Sequence, residues 1–121
     1  MKIQPEDCEG LDLSSWKLAF NGAEPVREDT MRQFADKFEP YGFNYKSFYP
    51  CYGMAETTLI VTGGDLNTEP VCRLFDQNKL VEHAVVRVDA DDPNARSLVG
   101  SGNVIDEEEV LIVNPETRRL M

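Results

Sequence analysis

Positive charge is scarce in this chain. Twelve Lys and Arg stand against 22 Asp and Glu, a formal net charge of -10 at pH 7 over 121 residues. Nucleic-acid backbones and anionic lipid surfaces need a basic face to neutralise phosphate, so neither partner class is expected. Long apolar runs are missing too. Leu59-Ile60-Val61 is among the longest, far short of a membrane span, and no signal-peptide pattern opens the chain, so the expectation is a cytoplasmic protein. Histidine is reduced to His83, which has no Cys or His beside it and reads as structural or solvated. Cys8, Cys51 and Cys72 form no CxxC pair, which excludes a cysteine zinc site and points to reduced thiols. Cys51 has no basic neighbour to lower its pKa and is not read as a nucleophile. There is no Ser/His/Asp arrangement and no GxxxxGK[ST] phosphate loop. Gly100-Ser101-Gly102 lacks the third glycine of a dinucleotide fingerprint, and Asp106-Glu107-Glu108-Glu109 lacks the alternation of an EF-hand. These two stretches read as a plain loop and a solvated turn.

What is present suits one domain, or a piece of a larger one, with 41% hydrophobic residues to build a core. Met1 to Ser15 is a lead-in broken by Pro5 and Gly10. Trp16 to Phe20 alternates like a strand and runs into Asn21-Gly22, a turn signal. From Arg27 to Phe38, Met31, Phe34, Ala35 and Phe38 fall at i, i+3, i+4 and i+7, one stripe of an amphipathic helix. Pro25 before it and Glu28 and Asp29 in its first turn suit a helix start, and Pro40 and Gly42 end it. Phe43 to Cys51 is aromatic-rich and contains a second strand, with Pro50 at a strand end or edge. Thr57 to Thr62 reads as extended, Val71 to Phe75 as a strand, and Asp76 as the cap of a helical turn. Val81 to Val88 reads as a strand, Asp89 to Arg96 as a loop, Glu109 to Val113 as a late strand, and Asn114 to Thr117 as a turn. Arg118 to Met121 stands where a hairpin partner would follow.

The fold class expected is therefore α/β: a strand-helix-strand parallel unit followed by a β-rich segment, divided near residue 64 into 1–64 and 65–121. Two strands joined by a helix of this length pair in parallel, so their carboxyl ends share one sheet edge. Asn21-Gly22-Ala23-Glu24 and Tyr52-Gly53-Met54-Ala55-Glu56 then converge, at the edge where open parallel sheets bind ligands. On the residues alone, two readings stay open there. Tyr52, Gly53 and Glu56 could be an ordinary strand end. Equally, Tyr52 could stack on a flat base, Gly53 allow close backbone approach, and Glu56 ligate Mg²⁺ through oxygen.

At these residues the chain resembles the fatty acyl-AMP ligases of the adenylate-forming superfamily. Leu13 to Val26 is similar to their strand and "NGAEP" turn, Phe48 to Leu59 to their "FYPCYGLAEATL" motif, and Leu98 to Leu120 to a later segment ending in "PETRR". The resemblance implies part of an adenylate-forming N-terminal domain. It implies ATP, AMP and Mg²⁺ as cofactors, with a nucleotide site made of Asn21, Gly22, Ala23, Glu24, Pro25, Cys51, Tyr52, Gly53, Met54, Ala55, Glu56 and Thr57. Within it, Tyr52 would stack on adenine opposite Gly22-Ala23-Glu24, the Cys51 carbonyl would lie near the adenine amino group, and Glu56 would hold the metal. The implied partners are a fatty acid and an acyl carrier protein, or the carrier domain of a polyketide or nonribosomal synthase.

Pro50 and Ala55 replace the Asn and Thr of the broader superfamily, in the manner of the fatty acyl-AMP ligases. Gly100 to Ile105 departs from the family's form, so no role is assigned to it. The upstream phosphate loop, the ribose-binding Asp and the lid with its catalytic Lys have no counterpart here. The expectation is a fragment without a catalytic residue of its own, inactive alone, whose unpaired strand edges favour self-association. The competing expectation is a non-catalytic nucleotide-binding or protein-interaction module.

Overall fold

The computed structural model describes residues 3–57, 59–105 and 108–121. Its centre is a parallel pair. Strand β1 (Ala19–Asn21) leads through helix α1 (Glu28–Phe38) to strand β2 (Phe48–Tyr52), with Ala19 opposite Phe48 and Asn21 opposite Pro50. Short strands β3 (Thr62–Gly63) and β6 (Asn103–Val104) extend the sheet in the order β1-β2-β3-β6, both added antiparallel. Strands β4 (Cys72–Asp76) and β5 (Ala95–Val99) form a separate antiparallel hairpin around a short helix α2 (Gln77–Val81). The α/β architecture expected from the sequence is the one observed.

Helix α1 follows its apolar stripe. Met31, Ala35 and Phe38 are buried, and Glu28 and Asp29 sit where the first-turn amides favour negative charge. The helix tightens into a 3-10 turn at Glu39–Tyr41 and stops at Gly42, whose φ of 88° is the left-handed conformation glycine adopts without strain. The core between α1 and the sheet is aromatic. Phe34, Phe43 and Phe48 meet edge to face, with centroids 5.0 Å apart for Phe34–Phe43 and 5.1 Å for Phe43–Phe48. Pro50 stands at the handover from β1 to β3. It pairs with Asn21 on one side, while β3 pairs only Cys51 and Tyr52 on the other. Its missing N–H therefore interrupts no β3 ladder position.

Several boundaries differ from the sequence expectation. The first strand begins at Ala19, not Trp16. The Trp16 N–H bonds back to the Leu13 carbonyl at 2.9 Å and the indole Nε1 donates to Leu18 at 2.8 Å, which holds residues 16–18 out of the ladder. The second strand begins at Phe48 because Asn44 caps a 3-10 turn at Tyr45–Ser47. The described residues of the expected extended stretch 57–62 do not form one: a 3-10 turn occupies Ala55–Thr57, Leu59 has a φ of 95°, and strand begins only at Thr62–Gly63. Val81 to Val88 is not a strand. Helix α2 runs to Val81, His83 takes a φ of 60°, and a single Phe75–Arg87 bridge remains. Ala95 and Arg96, expected in a loop, open β5, and Asn103 belongs to β6. Glu109 to Val113 forms no strand either; the hairpin there is one Val113–Leu120 bridge around the Asn114 turn. Asp76 caps α2 as expected, accepting from the amides of Asn78 and Lys79. Thr58, Asp106 and Glu107 lie outside the described residues. Among the described residues no helix is long and apolar enough to cross a membrane.

Candidate functional site

The carboxyl ends of β1 and β2 place the two sequence motifs side by side. Asn21 closes β1, and Gly22 follows directly beside Cys51 of β2. A Cβ on Gly22 would lie 3.0 Å from the Cys51 carbonyl oxygen and 3.1 Å from its sulfur. The Cys51 thiol in turn donates to the Asn21 carbonyl at 3.5 Å. Glycine at position 22 thus leaves the Cys51 carbonyl uncrowded, where a larger side chain would press on it. Ala23 then takes a φ of 66°, a left-handed conformation that costs a non-glycine residue of order 1–3 kcal/mol and is concentrated at functional sites. The Asn21 Oδ1 is buried with no hydrogen-bond partner, a second local cost at the same edge.

The other motif forms the turn between β2 and β3. Tyr52 is 47% exposed, so its ring has a free face at the end of the strand. Gly53 is where the chain folds back on itself: a Cβ there would sit 1.4 Å from the Leu59 carbonyl oxygen, a position only glycine can occupy. The Met54 carbonyl accepts from the amides of Thr57 and Leu59 at 3.2 and 3.1 Å and from the Thr57 hydroxyl at 3.1 Å. The Val61 amide closes the loop on the Tyr52 carbonyl at 2.9 Å. Ala55 and Glu56 stand on the 3-10 turn that results, and the Glu56 side chain is in solvent.

Asn21, Gly22, Cys51 and Tyr52 are thus neighbours through the strand register. Glu24 and Pro25 turn toward α1 instead and line an open cleft of about 550 Å³ with Asn21, Gly22, Trp16 and Met31. Tyr52 and Glu56 are not part of that cleft. Nor does a metal cage exist: among the described residues no three His, Cys, Asp or Glu side chains gather around a point. One exposed carboxylate is nonetheless a donor set suited to Mg²⁺, which keeps most of its waters and takes one or two protein carboxylates plus ligand phosphates. The slot at Gly22 and the exposed Tyr52 ring suit a flat heterocycle.

Sequence reasoning missed the left-handed Ala23 and Leu59. An alanine and a leucine carry no signal for positive φ, which is imposed here by loop closure.

No protein-family model matches the chain. It is 41% identical over 117 residues to a medium-chain-fatty-acid–[acyl-carrier-protein] ligase of Teredinibacter turnerae, covering 97% of this chain and 18% of that protein. Among solved structures, a fatty acid AMP ligase from Legionella pneumophila superposes with a TM-score of 0.89 at 47% identity, covering 96% of this chain and 20% of that one. A fatty acyl-adenylate ligase from the same organism, crystallised with acyl adenylate and pyrophosphate, gives 0.88 at 48% identity over the same shares.

Proposed function

Because the chain belongs to the fatty acyl-AMP ligases, spanning about a fifth of the length of the relatives it matches, we propose that it supplies the adenine-and-metal half of an acyl-adenylating site. The whole protein would join a fatty acid to ATP as an acyl-adenylate with release of pyrophosphate. It would then pass the acyl group to an acyl carrier protein or to a carrier domain of a polyketide or nonribosomal synthase.

Each residue has a binding role in this reading. Tyr52 stacks on the adenine through its free face, and the backbone of Gly22-Ala23-Glu24 forms the opposite wall, with Asn21 and Pro25 fixing the ends of that turn. The Cys51 carbonyl, kept clear by Gly22, accepts from the adenine amino group. Gly53, Met54, Ala55 and Thr57 build the turn that carries Glu56. Glu56 provides the carboxylate for Mg²⁺, which when bound would neutralise charge on the ATP phosphates. Such positioning and charge stabilisation are what adenylate formation demands of a protein. No residue of this chain is assigned to bond making.

The observation that carries the proposal is the close approach of Gly22 to the Cys51 carbonyl, with the exposed Tyr52 next in the chain after Cys51. A non-catalytic nucleotide or interaction module is the competing reading, and the relatives above lend it no support. A graft tests the proposal. This chain replaces its counterpart in the Legionella ligase, and ATP–pyrophosphate exchange is measured with fatty acid and Mg²⁺. The graft should retain exchange, and Glu56→Ala within it should lose roughly a hundred-fold or more. Exchange undiminished by Glu56→Ala would sink the metal assignment.

A further inference from the structure

Helix α1 and the β4–β5 hairpin meet on a polar cluster that the nucleotide reading does not use. Glu28, in the first turn of α1, has a side chain only 16% exposed. Its Oε1 accepts from Arg32 Nε and Nη2 at 2.8 and 2.6 Å, and its Oε2 accepts from the Ser97 hydroxyl of β5. The Cys72 thiol of β4 lies against the same carboxylate and beside Tyr45, and the Arg32 guanidinium stands 5.5 Å above the Tyr45 ring. The hairpin register puts Cys72 opposite Val99 and Leu74 opposite Ser97, so these four side chains share the face turned toward α1. Cys72 and Val99 are only partly buried against the core. That is a thin apolar seam, and the carboxylate adds a charge-assisted tie across it.

We propose that Glu28 is the clasp by which α1 holds the β4–β5 hairpin, and that neutralising its carboxylate frees the hairpin while the β1-α1-β2 unit stays folded. A neutral carboxyl loses its ion pair with Arg32 and becomes a weaker acceptor for Ser97, leaving the seam to Cys72 and Val99. The titratable and charged groups around Glu28 are Arg32 on its own helix, Cys72 on β4 and Tyr45 on the preceding turn, whose environment also includes Glu69. Glu24, Arg27, Asp29 and Arg96 line the adjoining cleft. The Ser97 hydrogen bond, with help from Arg32 and against the cost of burial, holds the Glu28 carboxyl below its ordinary range. Burial pushes the Cys72 thiol and the Tyr45 phenol up, so both stay neutral at pH 7. A lowered folded value stabilises above the ordinary glutamate pKa of about 4.3 and is lost as pH falls through the folded value, so acid opens the clasp. This inference is independent of the nucleotide proposal.

Amide hydrogen exchange on the 121-residue chain tests it. At pH 7, Glu28→Gln should speed exchange in β4 and β5 by about ten-fold while amides of β1 and β2 keep their wild-type protection. Ser97→Ala, which removes one hydroxyl, should act in the same direction. It decides the matter if the glutamine variant fails to fold. After correction for intrinsic rates, the wild type taken to progressively lower pH should show the same selective loosening as the Glu28 carboxylate takes up its proton, below the ordinary glutamate range because Ser97 holds its pKa down. Hairpin protection unchanged in the variants, or lost together with that of β1 and β2, would overturn the clasp.

Discussion

Gly22 and Gly53 sit in the same candidate site, yet a methyl group meets different neighbours at each. At Gly53 it collides with the Leu59 carbonyl at 1.4 Å, and backbone must move. Gly53→Ala should therefore cost roughly 1–3 kcal/mol of stability, measured by urea unfolding, and disorder the turn that carries Glu56. At Gly22 the contacts of 3.0 and 3.1 Å with Cys51 are tight without being impossible. Gly22→Ala should cost under about 1 kcal/mol, a typical loss for a tolerated substitution, while filling the slot proposed for adenine. The two alanines thus separate folding from binding. Equal stability losses would show that the slot at Gly22 is ordinary packing. The sequence displays both glycines but not this difference, because it depends on which backbone crosses each one. The partner that ties Glu28 to the hairpin was equally hidden: Ser97 lies 69 positions away, and no local pattern links them.

Among the elements, α1 was the most legible because its period is long and its ends are marked. Met31, Ala35 and Phe38 are buried as the stripe requires, and Gly42 stops the chain in the left-handed conformation. The parallel pairing of β1 and β2, and with it the meeting of the two motifs, followed from the helix between them. The β-rich continuation was far less legible. Val81, Val85, Val86 and Val88 look like strand material, yet Asp76 starts a helix just before them and leaves only one bridge. Strands β3 and β6 are two residues each and are set by pairing with each other and with β2, which no single-strand pattern records. If α1 is the element that organises the core, Met31→Ala should cost about 2–5 kcal/mol. Met31 is 2% exposed, and its truncation leaves a hole between helix and sheet. Thermal unfolding by circular dichroism would register this. A loss below about 0.5 kcal/mol, typical of surface positions, would place the core elsewhere.

The molecule as a whole presents an imbalance. Its buried cluster is small and gathered around α1, whereas Val81, Val85, Leu111, Ile112, Leu120 and Met121 of the later half are exposed. A net charge of -10 keeps copies apart at low ionic strength, and salt screens that repulsion. Light scattering should show an apparent mass that rises with protein concentration and with salt. Adding charge through Ile112→Asp and Leu120→Asp should suppress the rise. A monomer at every concentration and salt level would mean that these side chains are harmless to the isolated chain.

Two motifs meeting at one sheet edge are proposed to hold a nucleotide. The most direct measurement is a crystal structure of the Legionella graft with acyl adenylate bound. The adenine should lie between the Tyr52 ring and the Gly22-Ala23-Glu24 backbone, with its amino group on the Cys51 carbonyl. An adenylate bound without contact to Tyr52 or Gly22 would contradict the account.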